Sequence, residues 1–209
     1  MNITFYFDPS CPFSWITSRW LLMVSGERDL DVTWKPFCLA LKNEKLDESK
    51  DPYRKIHEGS KRLLRVMAAA EAKNGGSLID MYKSAGIKFH IGKEPFDDEL
   101  INGVLSENKL PAGLIEFADK QDFDHQLRDS IKSATEIAGE DVGVPTIIFT
   151  NEKGDQQGFF GPVLQELPDK KESLELWDGL SKLATNSNFY ELKRSRPSGN
   201  PDVYSTAKC

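Results

Sequence analysis

The sequence is poor in cysteine, in basic clusters and in long apolar runs, and each shortage excludes a class of protein. Three cysteines among 209 residues are too few and too scattered for a disulfide framework or a zinc site. No apolar run approaches the roughly 20 residues that a membrane-spanning helix needs. With 33 acidic against 27 basic residues and a net charge of -6, nucleic acid and anionic membranes are poor candidates as partners.

The first residues also lack the basic segment that opens a secretory signal. Residues 1–7 enter an alternating apolar pattern at once, which is typical of a strand and not of a leader. We therefore expect a cytoplasmic protein, where thiols stay reduced. Isolated cysteines in that compartment are either buried small hydrophobes or reactive thiols.

The order of strand and helix signals predicts an α/β domain that is interrupted by helices. The opening reads as strand, helix and strand, and the closing part as two strands and a helix. The strands are predicted at 3–7, 31–38, 144–150 and 156–161. Helices are predicted from Pro12 to Val24, and at 60–74, from 77, at 98–108, 111–119, 122–139 and 174–183, with a polar loop over 42–59.

This βαβ…ββα order is the layout of the thioredoxin fold, in which a hairpin adds to a parallel pair of strands. Residues 1–41 and 141–194 are predicted to form the thioredoxin-like domain, and residues 42–140 an all-helical insertion. The tail, residues 195–209, is rich in Ser, Pro, Gly and Lys, so we expect it to be flexible.

One cysteine stands at a position that would make it reactive. Cys11 follows the first strand, and Pro12 suits the first position of the helix that comes next. The unpaired N–H groups and the dipole at a helix start amount to about half a positive charge. Cysteines held there can have pKa values of roughly 3.5–7.5 instead of 8.5, and the thiolate is the nucleophile. A cysteine that merely fills a turn is the alternative.

Several segments together resemble a known family. Phe7–Trp15 resembles the active-site segment of DsbA-like thioredoxin-fold proteins, and Gly143–Thr146 resembles the loop that presents a cis-proline to the cysteine. Within that class, the match is to the mycothiol-dependent nitroreductase and reductase group of actinobacteria. The further segments that carry this resemblance are Trp15–Leu21, Phe160–Leu164, Leu176–Gly179 and Phe189–Arg194.

The resemblance implies a thiol oxidoreductase, but one residue departs from the family pattern. Ser14 stands where Cys-x-x-Cys enzymes carry the second cysteine, and a serine cannot clear a mixed disulfide by internal attack. We expect a monothiol cycle in which Cys11 attacks and a low-molecular-weight thiol, mycothiol or glutathione, resolves the adduct. The Ser14 hydroxyl is expected to donate a hydrogen bond to the Cys11 thiolate.

The resemblance also implies which residues contact the substrate. Phe13 would form an apolar wall beside the sulfur, and the backbone of Val144 before a cis Pro145 would pair with the substrate. Asn43 and Tyr53 would line the substrate pocket. His90 is a candidate proton donor or thiolate partner, although a lone histidine is more often a packing or surface residue.

The remaining cysteines and two other functions stay open at this stage. Cys38 is expected to be a packed thiol and Cys209 a solvated one. Ser14 also allows a thiol-cofactor-dependent isomerase or transferase, like the 2-hydroxychromene-2-carboxylate isomerases and the kappa-class glutathione transferases. A redox-inactive module that binds peptides at the Pro145 loop is the third possibility. The sequence names no substrate and no oligomeric state.

Overall fold

The computed structural model describes residues 1–196 and 198–207, with Glu48 described by its backbone alone. The chain divides into two compact units. The first contains residues 1–6, 11–34 and those from 134 onward, and the second contains residues 7–10 and 35–133. Within the described ranges, no helix is both long and apolar enough to cross a membrane.

The first unit is built on a sheet that the described residues form from four strands. They are β1 (Asn2–Phe7), β2 (Asp31–Pro36), β3 (Thr146–Thr150) and β4 (Gln156–Phe160), in the order β2-β1-β3-β4. Asp31 N bonds Met1 O at one end of the β1–β2 pair and Phe37 N bonds Phe7 O at the other, so these strands are parallel. β3 runs antiparallel to both of its neighbours. Every predicted strand is present, with ends shifted by at most two residues.

Two helices cover this sheet because their apolar stripes carry large aromatic side chains. They are α1 (Pro12–Ser25) and α7 (Lys170–Ala184). The rings of Trp20 and Trp177 lie 5.8 Å apart, and Trp177 stacks on Phe149 of β3 at 5.9 Å. The Trp20 indole N–H also donates to Ser173 O, which satisfies the one polar atom of a fully buried ring. This packing fixes the start of α1 relative to the strands.

The second unit is helical. Its helices are α2 (Leu39–Lys42), α3 (Arg54–Asn74), α4 (Leu78–Gly86), α5 (Asp98–Glu107) and the first part of α6 (Asp124–Ala138). A π-helix follows α4 at Ile87–Ile91, and a 3-10 helix stands at Ala112–Phe117. Leu64 and Met67 of α3 and Ile101 of α5 are fully buried. Arg65 binds Asp124 with two hydrogen bonds, at 2.7 and 2.8 Å.

The helical part departs from the sequence prediction in three places. Residues 42–59 are not one polar loop, because a 3-10 turn forms at Glu48–Lys50 and α3 begins at Arg54. This polar segment contains a buried pair, in which Asp51 Oδ2 lies 3.2 Å from His57 Nδ1. The predicted helix at 111–119 is the shorter 3-10 helix, and the π-helix has no signal in the apolar spacing.

The C-terminal segment also differs from the predicted flexible tail. Val203–Thr206 form a 3-10 helix, and Val203 and Thr206 are buried. The indole N–H of Trp15 donates to Thr206 Oγ1 at 2.9 Å. The composition of the tail is typical of disorder, but a buried tryptophan N–H requires an acceptor, and this segment supplies it. Of the tail, Pro197 and residues 208–209 lie outside the described residues, so the predictions for Cys209 stay predictions.

Candidate functional site

Cys11 is the residue at the start of α1, as its place in the sequence predicts. It is the N-cap, with an extended backbone (φ -82°, ψ 114°), and Pro12 follows at the first helical position. The Ser14 backbone N–H donates to Cys11 Sγ at 3.5 Å. The sulfur thus accepts one of the N–H groups that a helix start leaves without an intrahelical partner. Cys11 is half-buried, which leaves part of it open to solvent.

The proline loop lies against the same sulfur. Cys11 Sγ is 3.5 Å from Val144 O, and the Val144–Pro145 peptide bond is cis. Pro145 O accepts from Gly161 N at 2.8 Å, and Thr146 Oγ1 donates to Gly143 O at 2.7 Å. The loop is therefore held on both sides by hydrogen bonds. The structure brings together Cys11, Pro12, Ser14, Val144 and Pro145, five of the residues that the sequence singled out.

The contacts with Val144 and Ser14 stabilise different protonation states of the Cys11 sulfur. In the thiol form, the Cys11 S–H donates to the Val144 carbonyl, a bond that ionisation removes. In the thiolate form, the Ser14 N–H and the positive end of the helix dipole stabilise the charge. The Val144 contact therefore stabilises the thiol, and the helix start stabilises the thiolate.

The hydroxyl of Ser14 does not play the part that the sequence suggested. It is the backbone N–H of Ser14 that donates to Cys11 Sγ, while Ser14 Oγ is buried and has no hydrogen-bond partner among the described residues. The difference arises because the sulfur caps the helix, and a cap accepts from backbone N–H groups near the helix start. A buried hydroxyl without a partner costs about 1–3 kcal/mol.

Phe13 is half-buried, and its ring makes a cation–π contact with Arg196. The Arg196 guanidinium carbon lies 4.6 Å from the ring centroid. Sequence reasoning expected the apolar wall at Phe13 but not the arginine, which stands 183 positions later in a segment predicted to be flexible.

A buried carboxylate organises the residues that precede Cys11, and the sequence analysis missed it. Asp8 is fully buried and accepts four hydrogen bonds of 2.6–2.8 Å. The donors are Ser10 N, Ser10 Oγ, Leu39 N and Ser60 Oγ. The Asp-x-Ser spacing directly after a strand is a signal for the first two, because Asp side chains bond their own backbone two residues on. The other two donors come from distant parts of the chain.

His90 binds Pro9, the residue that follows Asp8 in the segment before Cys11. It is buried in the π-helix, and its Nε2 lies 2.9 Å from Pro9 O. Since a carbonyl oxygen only accepts, Nε2 carries the proton and donates it. Burial lowers the pKa of His90 to about 4, so the ring is neutral at neutral pH. A neutral ring is unlike the charged thiolate partner that was predicted. The contact with Pro9 O indicates instead that His90 positions the segment before Cys11.

The other predicted pocket residues lie in the second unit. Asn43 is the C-cap of α2, where its backbone N–H donates to Leu39 O. Tyr53 is the N-cap of α3, and its side chain is exposed. An exposed phenol is accessible to a ligand. Their predicted part in substrate binding stays a prediction.

Cys38 also stands at a helix start, as the N-cap of α2, but it differs from Cys11 in burial. It has no exposed surface, and burial, followed by the nearby Asp8 charge, raises the pKa of its thiol to about 12. Such a thiol stays protonated at neutral pH and is a poor nucleophile. Both Cys11 and Cys38 are free thiols.

The fold and this site define a class, the DsbA-like proteins of the thioredoxin fold. Among solved structures, the cytosolic disulfide reductase DsbM from Pseudomonas aeruginosa matches with a TM-score of 0.59 and 16% identity, over 88% of this chain and 100% of that one. DsbM also matches in a structure with GSH. A 2-hydroxychromene-2-carboxylate isomerase matches with a TM-score of 0.55 and 16% identity, over 88% of this chain and 96% of that one. The predicted thioredoxin-like fold is confirmed.

The sequence identifies the family within that class. Residues 10–194 match the family described as Rv2466c-like, mycothiol-dependent nitroreductase Rv2466c, and the chain belongs to this family. A relative from Mycobacterium tuberculosis, the uncharacterized protein Rv2286c, is 27% identical over 93% of this chain and 82% of its own length. The predicted family is confirmed, and with it an enzyme of thiol-dependent redox chemistry.

Proposed function

We propose that this enzyme is a monothiol reductase whose nucleophile is Cys11. The Cys11 thiolate attacks a disulfide R–S–S–R′, forms Cys11–S–S–R and releases R′–S⁻. A low-molecular-weight thiolate then attacks the Cys11–S–S–R bond, takes R as a new disulfide and returns the Cys11 thiolate. These two steps exchange R–S–S–R′ and one small thiolate R″–S⁻ for R′–S⁻ and R–S–S–R″. A second R″–S⁻ that attacks R–S–S–R″ releases R–S⁻ and leaves R″–S–S–R″, so the substrate is reduced by two electrons and two small thiols are oxidised to their disulfide. An electrophilic small molecule is the other class of substrate that the nucleophile would accept.

The observation that carries the proposal is the pairing of Cys11 with Ser14 at the helix start. The Ser14 N–H and the helix dipole favour the attacking thiolate, and Ser14 offers no second sulfur for internal resolution. Cys38, the other described cysteine, is fully buried, and its protonated thiol cannot serve as an attacking thiolate. We therefore propose that an external thiol resolves the adduct; Cys209, which lies outside the described residues, is the remaining internal candidate.

Family membership and structural neighbours support the choice of thiol. The family is mycothiol-dependent, and the neighbour DsbM is known in a structure with GSH. We propose mycothiol or a similar small thiol as co-substrate, in contact with the Pro12, Phe13, Val144 and Pro145 surface around the sulfur. A cytoplasmic location is part of the proposal, and the cytosolic DsbM supports it.

Intact-mass spectrometry after exposure to 2-hydroxyethyl disulfide tests the monothiol cycle, in a Cys209→Ser background that leaves the two described thiols. We expect one mercaptoethanol adduct, located at Cys11 by peptide mapping and cleared only when a thiol is added. In a Ser14→Cys variant the introduced thiol resolves the adduct internally, so the adduct should be lost without added thiol. An absent adduct, or one that persists equally in both proteins, contradicts the proposal.

One observation favours a second function. The Ser14 hydroxyl is buried without a partner among the described residues, and a 2-hydroxychromene-2-carboxylate isomerase is among the proteins of similar structure. We infer as the alternative a thiol-cofactor-dependent isomerase or transferase in which Ser14 Oγ donates to the cofactor sulfur. In that case Ser14→Ala would abolish turnover and Cys11→Ser would retain it, whereas the reductase predicts that Cys11→Ser abolishes turnover.

A further inference from the structure

The C-terminal segment is fixed to the same helix that carries Cys11. Trp15 Nε1 donates to Thr206 Oγ1, and Trp15 N in turn donates to Cys11 O at 3.1 Å. The segment is also tied to the loop after β4, where Asp202 N donates to Gln165 O at 2.7 Å and Leu167 N donates to Ser205 Oγ at 2.9 Å. These bonds hold the chain after residue 200 in place beside the first turn of α1.

Upstream of this anchor, Arg196 meets the residue that lies two positions after the nucleophile. Its guanidinium carbon is 4.6 Å from the centroid of the Phe13 ring, within the distance of a cation–π contact. Arg196 is exposed and forms no ion pair with a carboxylate of the described residues. The ring contact occupies one face of the guanidinium, so its N–H donors in the plane remain available to a ligand.

We propose that Arg196 selects substrates that carry a carboxylate or a similar anionic group near the bond that Cys11 attacks. The guanidinium presents parallel N–H donors that match a carboxylate, and Phe13 fixes its plane beside the Cys-Pro segment. The chain carries a net charge of -6, and against this background a cation at the site would favour the approach of an anionic substrate. Arg196 lies just beyond the residues matched by the family, 10–194.

The inference rests on the proposed function, since it names the substrate class of the same site. Two probes of nearly equal size separate charge from reactivity: dithiodipropionate, which carries two carboxylates, and its neutral diamide. The second-order rate constant for adduct formation at Cys11 is measured with each probe, and their ratio is compared between variants. Because the ratio cancels the intrinsic reactivity of Cys11, it reports charge recognition alone.

We expect Arg196→Gln to lower the diacid-to-diamide ratio about three- to five-fold at low salt, the size of an exposed ion pair. The loss should shrink at high ionic strength. Arg194→Gln removes the same charge two residues earlier and serves as the matched control, with a ratio close to that of the wild type. Arg196→Lys should retain part of the preference, because a lysine keeps the charge but not the planar fork.

The outcomes distinguish the two proposals. If neither probe modifies Cys11 in the wild type, the proposed function fails, and the inference fails with it. If Cys11 is modified but Arg196→Gln leaves the ratio unchanged, the reductase stands and the selectivity is overturned. An equal loss in Arg194→Gln overturns it as well, since the effect would then be one of net charge.

Discussion

At the scale of single residues, this protein places chemically identical groups in different environments. Cys11 and Cys38 are both helix N-caps, yet Cys11 is half-buried at the start of α1, whereas Cys38 at the start of α2 is fully buried and has a raised pKa. Asp8 shows a further effect of burial, because four donors make a buried carboxylate tolerable. Asp8 and Cys38 lie just after the ends of β1 and β2.

His90 makes the stability of the protein depend on pH. Its pKa is about 4 in the folded chain and about 6.5 when unfolded, so between these values only the unfolded state binds the proton. Stability is therefore full above about pH 6.5 and falls as the pH drops toward 4. We expect a loss of about 2 kcal/mol in the free energy of unfolding between pH 7 and pH 5, measured by urea denaturation.

The His90→Gln variant supplies the control for this prediction. The glutamine amide can still donate toward Pro9 O, but it does not titrate. Carboxylates contribute equally to both proteins, so the difference between the two stability curves isolates the histidine. The difference should vary with pH across this window. Two parallel curves would show that His90 is not held neutral by burial.

At the scale of secondary-structure elements, a close approach between α6 and the hairpin of β3 and β4 depends on a glycine. A Cβ built on Gly158 would lie 2.7 Å from Ile148 Cδ1 and 2.8 Å from Ala138 Cβ, distances at which something must move. We expect Gly158→Ala to lower the free energy of unfolding by about 1–3 kcal/mol, as other overpacked cores do.

Gly179 is the matched control, because it lies in α7 with nothing within 4 Å of the added Cβ. There the same substitution should raise stability by up to about 1 kcal/mol, since alanine is the better helix former. Thermal or urea unfolding of both variants checks the pair. A Gly158→Ala protein as stable as the wild type would mean that the hairpin and α6 are not packed so closely.

At this scale, the sequence predicts those features whose signals lie within a few neighbouring residues. The start of α1 was predictable because Cys11 and Pro12 carry its signal within two residues, and the strands because their alternation is local. Ser60 and Leu39 could not be identified as partners of Asp8, because they meet it only through the fold. The docked residues 201–207 were missed because composition reports the tendency to disorder and not the acceptor that a buried Trp15 requires.

At the scale of the whole molecule, the fold positions Cys11 and the proline loop together, and the family match indicates thiol-dependent redox chemistry. The sheet places the end of β1 and the Val144–Pro145 loop together, and α1 begins between them with the cysteine as its cap. The family match over residues 10–194 covers Cys11, α1 and the Val144–Pro145 loop. The division into a thioredoxin-like domain of residues 1–41 and 141–194 and an insertion of 42–140 stays a proposal, and the second compact unit spans most of that insertion.

The measurement that tests the account most directly is a titration of the Cys11 thiolate by its ultraviolet absorbance, in a Cys209→Ser background. The helix start predicts a midpoint below the value of about 8.5 for a free cysteine. Cys11→Ser should remove this transition, since the thiol of Cys38 stays protonated up to about pH 12. A midpoint at or above that of free cysteine, with turnover retained in Cys11→Ser, would contradict the proposal that Cys11 is the nucleophile.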